Sequence, residues 1–260
     1  SNGVIVVTTK KGNYNQANTL EVDATYGISN VTRYPDMLNV QQHADMTWQS
    51  ILNDGNTPSH PQYGTGATPS VPVFLNVPIP SGAEYEGAGA KVAPGGTDWF
   101  DELFDPAAVT NVSVSASGGS EQGRYLMSAS YLNQEGVIVH TGYERASTRL
   151  NSEFKIGDKL TVSENLNITY DKEIGGGGQI QNAAFSSPLI PVKDTNGNFA
   201  GTYSNAARVG IANNPIAEQF RARNNYNKNL RVIGDVSVKW QITPELAFKS
   251  SAGITMRDLN

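Results

Sequence analysis

Period-two alternation constrains this chain more than any other feature. From Leu20 the even positions read Leu20, Val22, Ala24, Tyr26 and Ile28, while the odd ones read Glu21, Asp23, Thr25 and Gly27. An extended chain here has one apolar and one wet face. The pattern returns at Asn111–Ala116, at Arg124–Tyr131 with Leu126 out of phase, and at Arg145–Ile156, Leu160–Tyr170, Leu230–Ile242 and Leu246–Met256. Most of these stretches are near or above the roughly 9 to 11 residues a tilted strand needs to cross a bilayer. Strands of soluble sheets commonly run to roughly 5 to 6 residues. The expected class is all-β and antiparallel, with about seven strands.

The connections carry a second pattern. Strands one and two are separated by about Arg33 to Ala107 and strands five and six by about Glu173 to Tyr226, with "NQEGVIVHTGYE" between three and four. The intervening links are short: "SGGSEQG", "IGDK" and "TPE". All the longer links fall at one end of the sheet, the asymmetry of outer-membrane barrels with their short periplasmic turns and long extracellular loops. Short helices are expected within the long loops, at Leu38–Asn53, after an N-cap at Thr97 or Asp98, in "QIQNAAFSSPL" and in "NPIAEQFRA".

Composition agrees with this reading. No run approaches the roughly 18 apolar residues of a spanning helix, and the mean hydropathy is -0.37, as expected when only alternate residues face lipid. A net charge of -5 argues against a nucleic-acid partner, and the lack of cysteine removes disulfide and thiol chemistry. The opening "SNGVIVVTTKKG" starts inside a β-branched run, so we expect the chain to be part of a longer one.

Five landmarks in order resemble the SusC/RagA-type TonB-dependent transporters of the outer membrane: "NGVIVVTTKKG", "TDWFDELF", "SVSASGG" with "YLMSASYLNQEGVI", "ERASTRLN" and "SPLIPVKDTNGNF". The resemblance implies an antiparallel transmembrane β-barrel of 22 strands, of which this stretch holds about seven. It implies that residues 1–12 are the C-terminal end of the plug domain and 13–260 the N-terminal portion of the barrel. It further implies import of glycan or other oligomeric nutrients, oligosaccharide or peptide, across the outer membrane of a Gram-negative bacterium of the Bacteroidota. Its partners would be outer-membrane lipid, a SusD-like surface lipoprotein and TonB, the last acting through a region outside this stretch. Val4 to Thr8, as the last plug strand, are expected to lack most of their native pairing.

Residue chemistry adds no reaction and no cofactor. His43, His60 and His140 are far apart in sequence without metal-ligand spacing, and read as surface histidines. "DTNGNF" offers Asp194, Asn196 and Asn198, but Gly197 sits at the fourth position and Asn205 at the twelfth, which favours a hairpin turn over a calcium loop. Asp98, Asp101 and Glu102 beside Trp99 suit helix capping better than a sugar-cleaving carboxylate pair. Tyr63, Phe74 and Tyr85 in the first long loop are the candidate contacts to ligand or partner. The competing function is a cell-surface or secreted β-rich carbohydrate-binding or adhesion domain. In that case Leu166, Val236 and Phe248 would be buried against a second sheet, whereas a barrel leaves them facing outward.

Overall fold

The computed structural model describes residues 10–175, 179–203, 209–210 and 213–259. Val4 to Thr8, and with them the expectation about plug pairing, lie outside the described residues. The wall of the molecule is one antiparallel sheet of seven strands: β1 (Thr19–Ser29), β4 (Ala107–Gly119), β5 (Gly123–Glu135), β6 (Gly142–Ile156), β7 (Leu160–Ile174), β8 (Tyr226–Gln241) and β9 (Ala247–Leu259). Each strand pairs with the next in chain order. The two-residue strands β2 (Ser59–His60) and β3 (Gly64–Thr65) form a separate ladder inside the first long connection.

The alternating residues define the register. Leu20 pairs with Ala116, Ala116 with Met127, Met127 with Leu150, Leu150 with Leu166, Leu166 with Gly234 and Gly234 with Ile254. All stand on one face, and that face is open: Leu166 is 38%, Val236 49% and Phe248 59% exposed. The only other sheet among the described residues is the β2–β3 ladder, so nothing plays the part of a sandwich's second layer. Leu126 breaks the alternation because it points to the opposite face, where it pairs with Asn151.

The apolar band does not run straight across the rows. In β1 it covers Leu20 to Ile28, whereas in β9 it covers Phe248 to Met256, beginning six positions before Ile254, the residue that shares Leu20's row. Six strand steps separate β1 from β9, so the band drifts by one residue per strand. With a rise of about 3.3 Å per residue and about 4.8 Å between strands, that drift is the signature of strands tilted about 35° to the band. A lipid-facing belt on a closed barrel has this geometry.

The turns at one end are tight. Ser120 Oγ accepts from the backbone N–H of Gln122 and Gly123, Gly157 takes φ +60 between β6 and β7, and Thr243 and Leu246 close the β8–β9 link. The β5–β6 link, residues 136–141, is shorter than the sequence pattern implies, because both strands continue through polar positions to Glu135 and from Gly142. It lies at the same end as the two long connections, so the asymmetry holds.

The hydrophobic core is in the loops. Val40, Ala44, Trp48, Tyr63, Trp99 and Leu103 from the first connection are buried together with Ala183, Leu189 and Ile190 from the second. Among the described residues the helices of this assembly are α1 (Val40–Asn53), α2 (Trp99–Leu103), α3 (Gln179–Phe185) and α4 (Pro215–Ala222). The β5–β6 link joins them through the N–H of Val139 on the Leu103 carbonyl and an Asp105-to-Val137 bond.

Candidate functional site

The loop assembly is built from local capping outward. Asn39 caps α1 by accepting from the Gln42 N–H, and the Gln42 side chain returns the bond to the Asn39 N–H. This start aims Val40, Ala44 and Trp48 inward, and Trp48 donates its indole N–H to the Gly66 carbonyl at 3.1 Å. Tyr63 packs edge-on against Trp48 and is 1% exposed.

"TDWFDELF" clasps the second connection. Asp98 caps α2 by accepting from Phe100 and Asp101 N–H. The Thr97 N–H donates to the Pro188 carbonyl, the Thr97 hydroxyl to Ile190 at 2.7 Å and the Trp99 indole to Ser187 at 3.0 Å. Asn214 caps α4 with its oxygen and donates its amide hydrogens to the carbonyls of Val192 and Ala200, so this buried side chain is fully satisfied.

The clasp holds residues 184–189 opposite α1 and leaves a cavity of about 300 Å³ between them. Met37, Leu38, Phe185, Pro188, Leu189 and Val209 supply its apolar lining, and His43 and His60 its imidazoles. His43 Nδ1 is 2.6 Å from the Tyr63 hydroxyl, and the His60 ring centroid lies 4.9 Å from that of Tyr63. Burial holds both histidines below their ordinary range, with the neighbouring His43 adding to the effect on His60. Burial pushes the Tyr63 hydroxyl upward, so it stays protonated.

A second polar node lies at the opposite end of the sheet. Glu153 accepts from the Tyr14 hydroxyl at 2.8 Å, pairs with Arg124 at 2.8 Å and with Lys11 at 3.8 Å, and accepts from the Ser163 hydroxyl. The Tyr14 ring carries Lys155 at 4.0 Å and Arg124 at 4.8 Å. The segment threads against the wall so closely that a Cβ on Gly12 would sit 2.2 Å from the Tyr125 carbonyl oxygen. This node fastens residues 10–18 to the polar face beside the tight turns.

The three residues singled out from sequence do not converge. Tyr63 is interior and reaches the cavity through His43 and His60, Phe74 is 50% exposed in a bridge with Lys91, and Tyr85 is half-buried in a single 3-10 turn at Ala83–Tyr85. Of the histidines, His140 is exposed against Phe220, whereas His43 and His60 meet at Tyr63. Their separation along the chain hid this pairing, and nothing in the local pattern announces it. Asp194 accepts from the N–H groups of Asn196 and Asn198, with Gly197 at φ +87, so "DTNGNF" is a hairpin turn. Trp99, 2% exposed, is no stacking platform for a sugar. Among the described residues no group of three or more His, Cys, Asp or Glu is placed to hold a metal.

No family model matches the chain. Against curated proteins it is 28% identical over 251 residues to TonB-dependent receptor P26 of Formosa agariphila, covering 93% of this chain and 22% of the relative. It is 23% identical over 278 residues to TonB-dependent receptor SusC of Bacteroides thetaiotaomicron, covering 97% and 24% respectively. Among solved structures it superposes on the RagAB peptide importer in the closed-closed and open-open states. Both give a TM-score of 0.67, with 22% and 21% identity, over 96% of this chain and 29% of the other. Sequence and fold therefore agree with the tilted wall: the chain is similar in sequence to TonB-dependent receptors and in fold to the RagAB importer, spanning less than a third of the length of each relative named here.

Proposed function

We propose that the chain forms part of the wall and outer loops of a TonB-dependent outer-membrane importer of oligomeric nutrients, glycan or peptide fragments. In this reading residues 1–12 end the plug, 13–260 begin the barrel, and the long loops meet cargo beneath a SusD-like surface lipoprotein. One observation carries it: an unpartnered apolar band that climbs one residue per strand across seven strands. The loops at the far end have their own buried core, which suits a rigid surface for cargo and a partner. Phe74, half exposed on that surface, and Tyr85 are its candidate aromatic contacts. The work done is binding followed by force-driven rearrangement of the plug, with no bond made or broken.

The test is made in the native host. Deleting the gene should abolish growth on the cognate oligomer and spare growth on its monomer. Single cysteines at Asp54 and at Ile168 should then react differently in intact cells, the first with a membrane-impermeant maleimide and the second only with a lipophilic one. Labelling of Ile168 by the impermeant reagent would overturn the barrel assignment.

A further inference from the structure

The cavity between α1 and residues 184–189 has a donor arrangement that its apolar lining does not require. The Tyr63 hydroxyl is buried and meets His43 Nδ1 at 2.6 Å. A protonated phenol in that position donates, so His43 Nδ1 is the acceptor and the ring's own proton sits on Nε2. His60 Nδ1 accepts the backbone N–H of Gln62 at 3.2 Å, which fixes the same tautomer by the same logic. Each ring is therefore left with an Nε2–H as its free donor, and both rings line one cavity.

We propose that this cavity binds a small organic carboxylate, an apolar body ending in one carboxyl group, with one carboxylate oxygen on each histidine Nε2–H. The lining argues for the apolar body: Met37, Leu38, Leu189 and Val209 offer aliphatic and thioether surface, and Phe185 adds an aromatic ring. The two donors flank one tyrosine, His43 at a ring-centroid distance of 6.0 Å and His60 at 4.9 Å, and a carboxylate has one oxygen to offer each.

Among the described residues, the charge of the bound group has one source of compensation. Across the cavity, residues 184–189 and Val209–Gly210 contribute no titratable side chain. On α1 Asp45 is engaged with Gln41, and among the described residues the titratable groups in contact with the pair's rings are Tyr63 and the imidazoles themselves. Binding a carboxylate therefore favours an added proton on His43 Nδ1, where the Tyr63 hydroxyl can turn from donor to acceptor, while His60 stays neutral because its Nδ1 faces the Gln62 N–H; affinity rises as pH falls through the His43 titration. The inference rests on the proposed import role only in naming the ligand as cargo or a piece of it; the cavity's chemistry stands apart from transport.

The experiment titrates N-acetyl-leucine, and separately N-acetyl-leucinamide, into the full chain in detergent micelles while following histidine ring resonances by NMR. The carboxylate is expected to shift the His43 and His60 signals and leave His140 in place, with affinity tightening by up to about tenfold per pH unit between about pH 7.5 and 5.5. The amide should bind at least several-fold more weakly and without that pH dependence. His60→Gln keeps the half-exposed site filled but removes one of the two donors and should weaken binding several-fold, and His43→Gln should remove the pH slope, both leaving the near-ultraviolet circular dichroism of the buried Trp48 and Trp99 unchanged. Absence of any shift at saturating carboxylate, equal binding of acid and amide, or undiminished binding by a folded His60→Gln chain would each overturn the proposal. Uptake lost with ring shifts intact would count against the import reading alone; uptake intact with no shifts would count against the cavity alone.

Discussion

Trp99 Nε1 donates a 3.0 Å hydrogen bond to the carbonyl oxygen of Ser187, a residue in the other long connection. Both groups are buried, so the bond joins two loops across a dry interior where water cannot replace it. Trp99→Phe should cost about 0.5–1.5 kcal/mol by removing one of the two bonds to that carbonyl, which keeps the Ile190 N–H, and Trp99→Ala about 3–5 kcal/mol by adding a cavity. Limited proteolysis should show both variants nicked within residues 54–96 and 179–203 before any wall strand is cut. Wall strands cleaved first would contradict the independence of the loop core.

The anchor of the N-terminal segment is tested by a double-mutant cycle. Tyr14→Phe removes one hydrogen bond to Glu153, and Glu153→Gln removes the charge that Tyr14, Arg124 and Lys11 share. Each single change should lower stability by about 1 to 3 kcal/mol, as bonds to charged groups do, and the pair should be coupled by about 0.5 kcal/mol or more. Amide exchange at residues 12–18 should speed up in the same order. Strict additivity would mean that the Tyr14–Glu153 contact contributes nothing of its own.

Two glycines make opposite predictions. Gly12→Ala drives a methyl to 2.2 Å from the Tyr125 carbonyl oxygen, whereas Gly27→Ala places one in open space. The first should destabilise by about 1–3 kcal/mol or detach the segment; the second should be neutral. Urea unfolding from lipid vesicles resolves a difference of that size.

On the wall, the sign of a substitution depends on which face it occupies. Ile168→Arg puts a charge in the apolar band and should cost about 2–4 kcal/mol near the bilayer midplane, while Asn167→Arg, one residue away on the polar face, should cost little. Equal penalties at both positions would indicate a sheet buried on two sides.

The histidine pair gives the loop assembly a pH dependence. Because burial lowers both folded-state values below the ordinary 6.5, their contribution is fully present above that pH and is lost as pH falls toward the lowered values. Glu102 acts in the opposite sense at lower pH, since burial and neighbouring carboxylates raise it above 4.5. Protease resistance of the loops should therefore fall between about pH 7 and 5.5, and a His43→Gln, His60→Gln double variant should lose most of that slope.

The wall was legible in the sequence because lipid on one side and a polar interior on the other force a strict period of two. Leu230, Val232, Val236, Val238 and Trp240 announce their strand unaided. Its ends were less legible: β4 runs from Ala107 to Gly119, beyond the alternating Asn111–Ala116, because backbone pairing continues where side chains stop alternating. The loop assembly was legible only as isolated helices. Its core joins Tyr63 to Trp48 and Trp99 to Ser187 through contacts between distant segments, and no local period encodes such contacts. The cavity histidines were invisible for the same reason.

Placing the only hydrophobic interior among the described residues in the loops divides this molecule between two solvents. The wall is held by its backbone ladder and by hydrocarbon outside it, a medium indifferent to the identity of any one aliphatic side chain. The loop assembly answers to water and must fit its own parts together. Substitutions can thus accumulate in one without disturbing the other, and new surface specificities can arise on an unchanged cylinder.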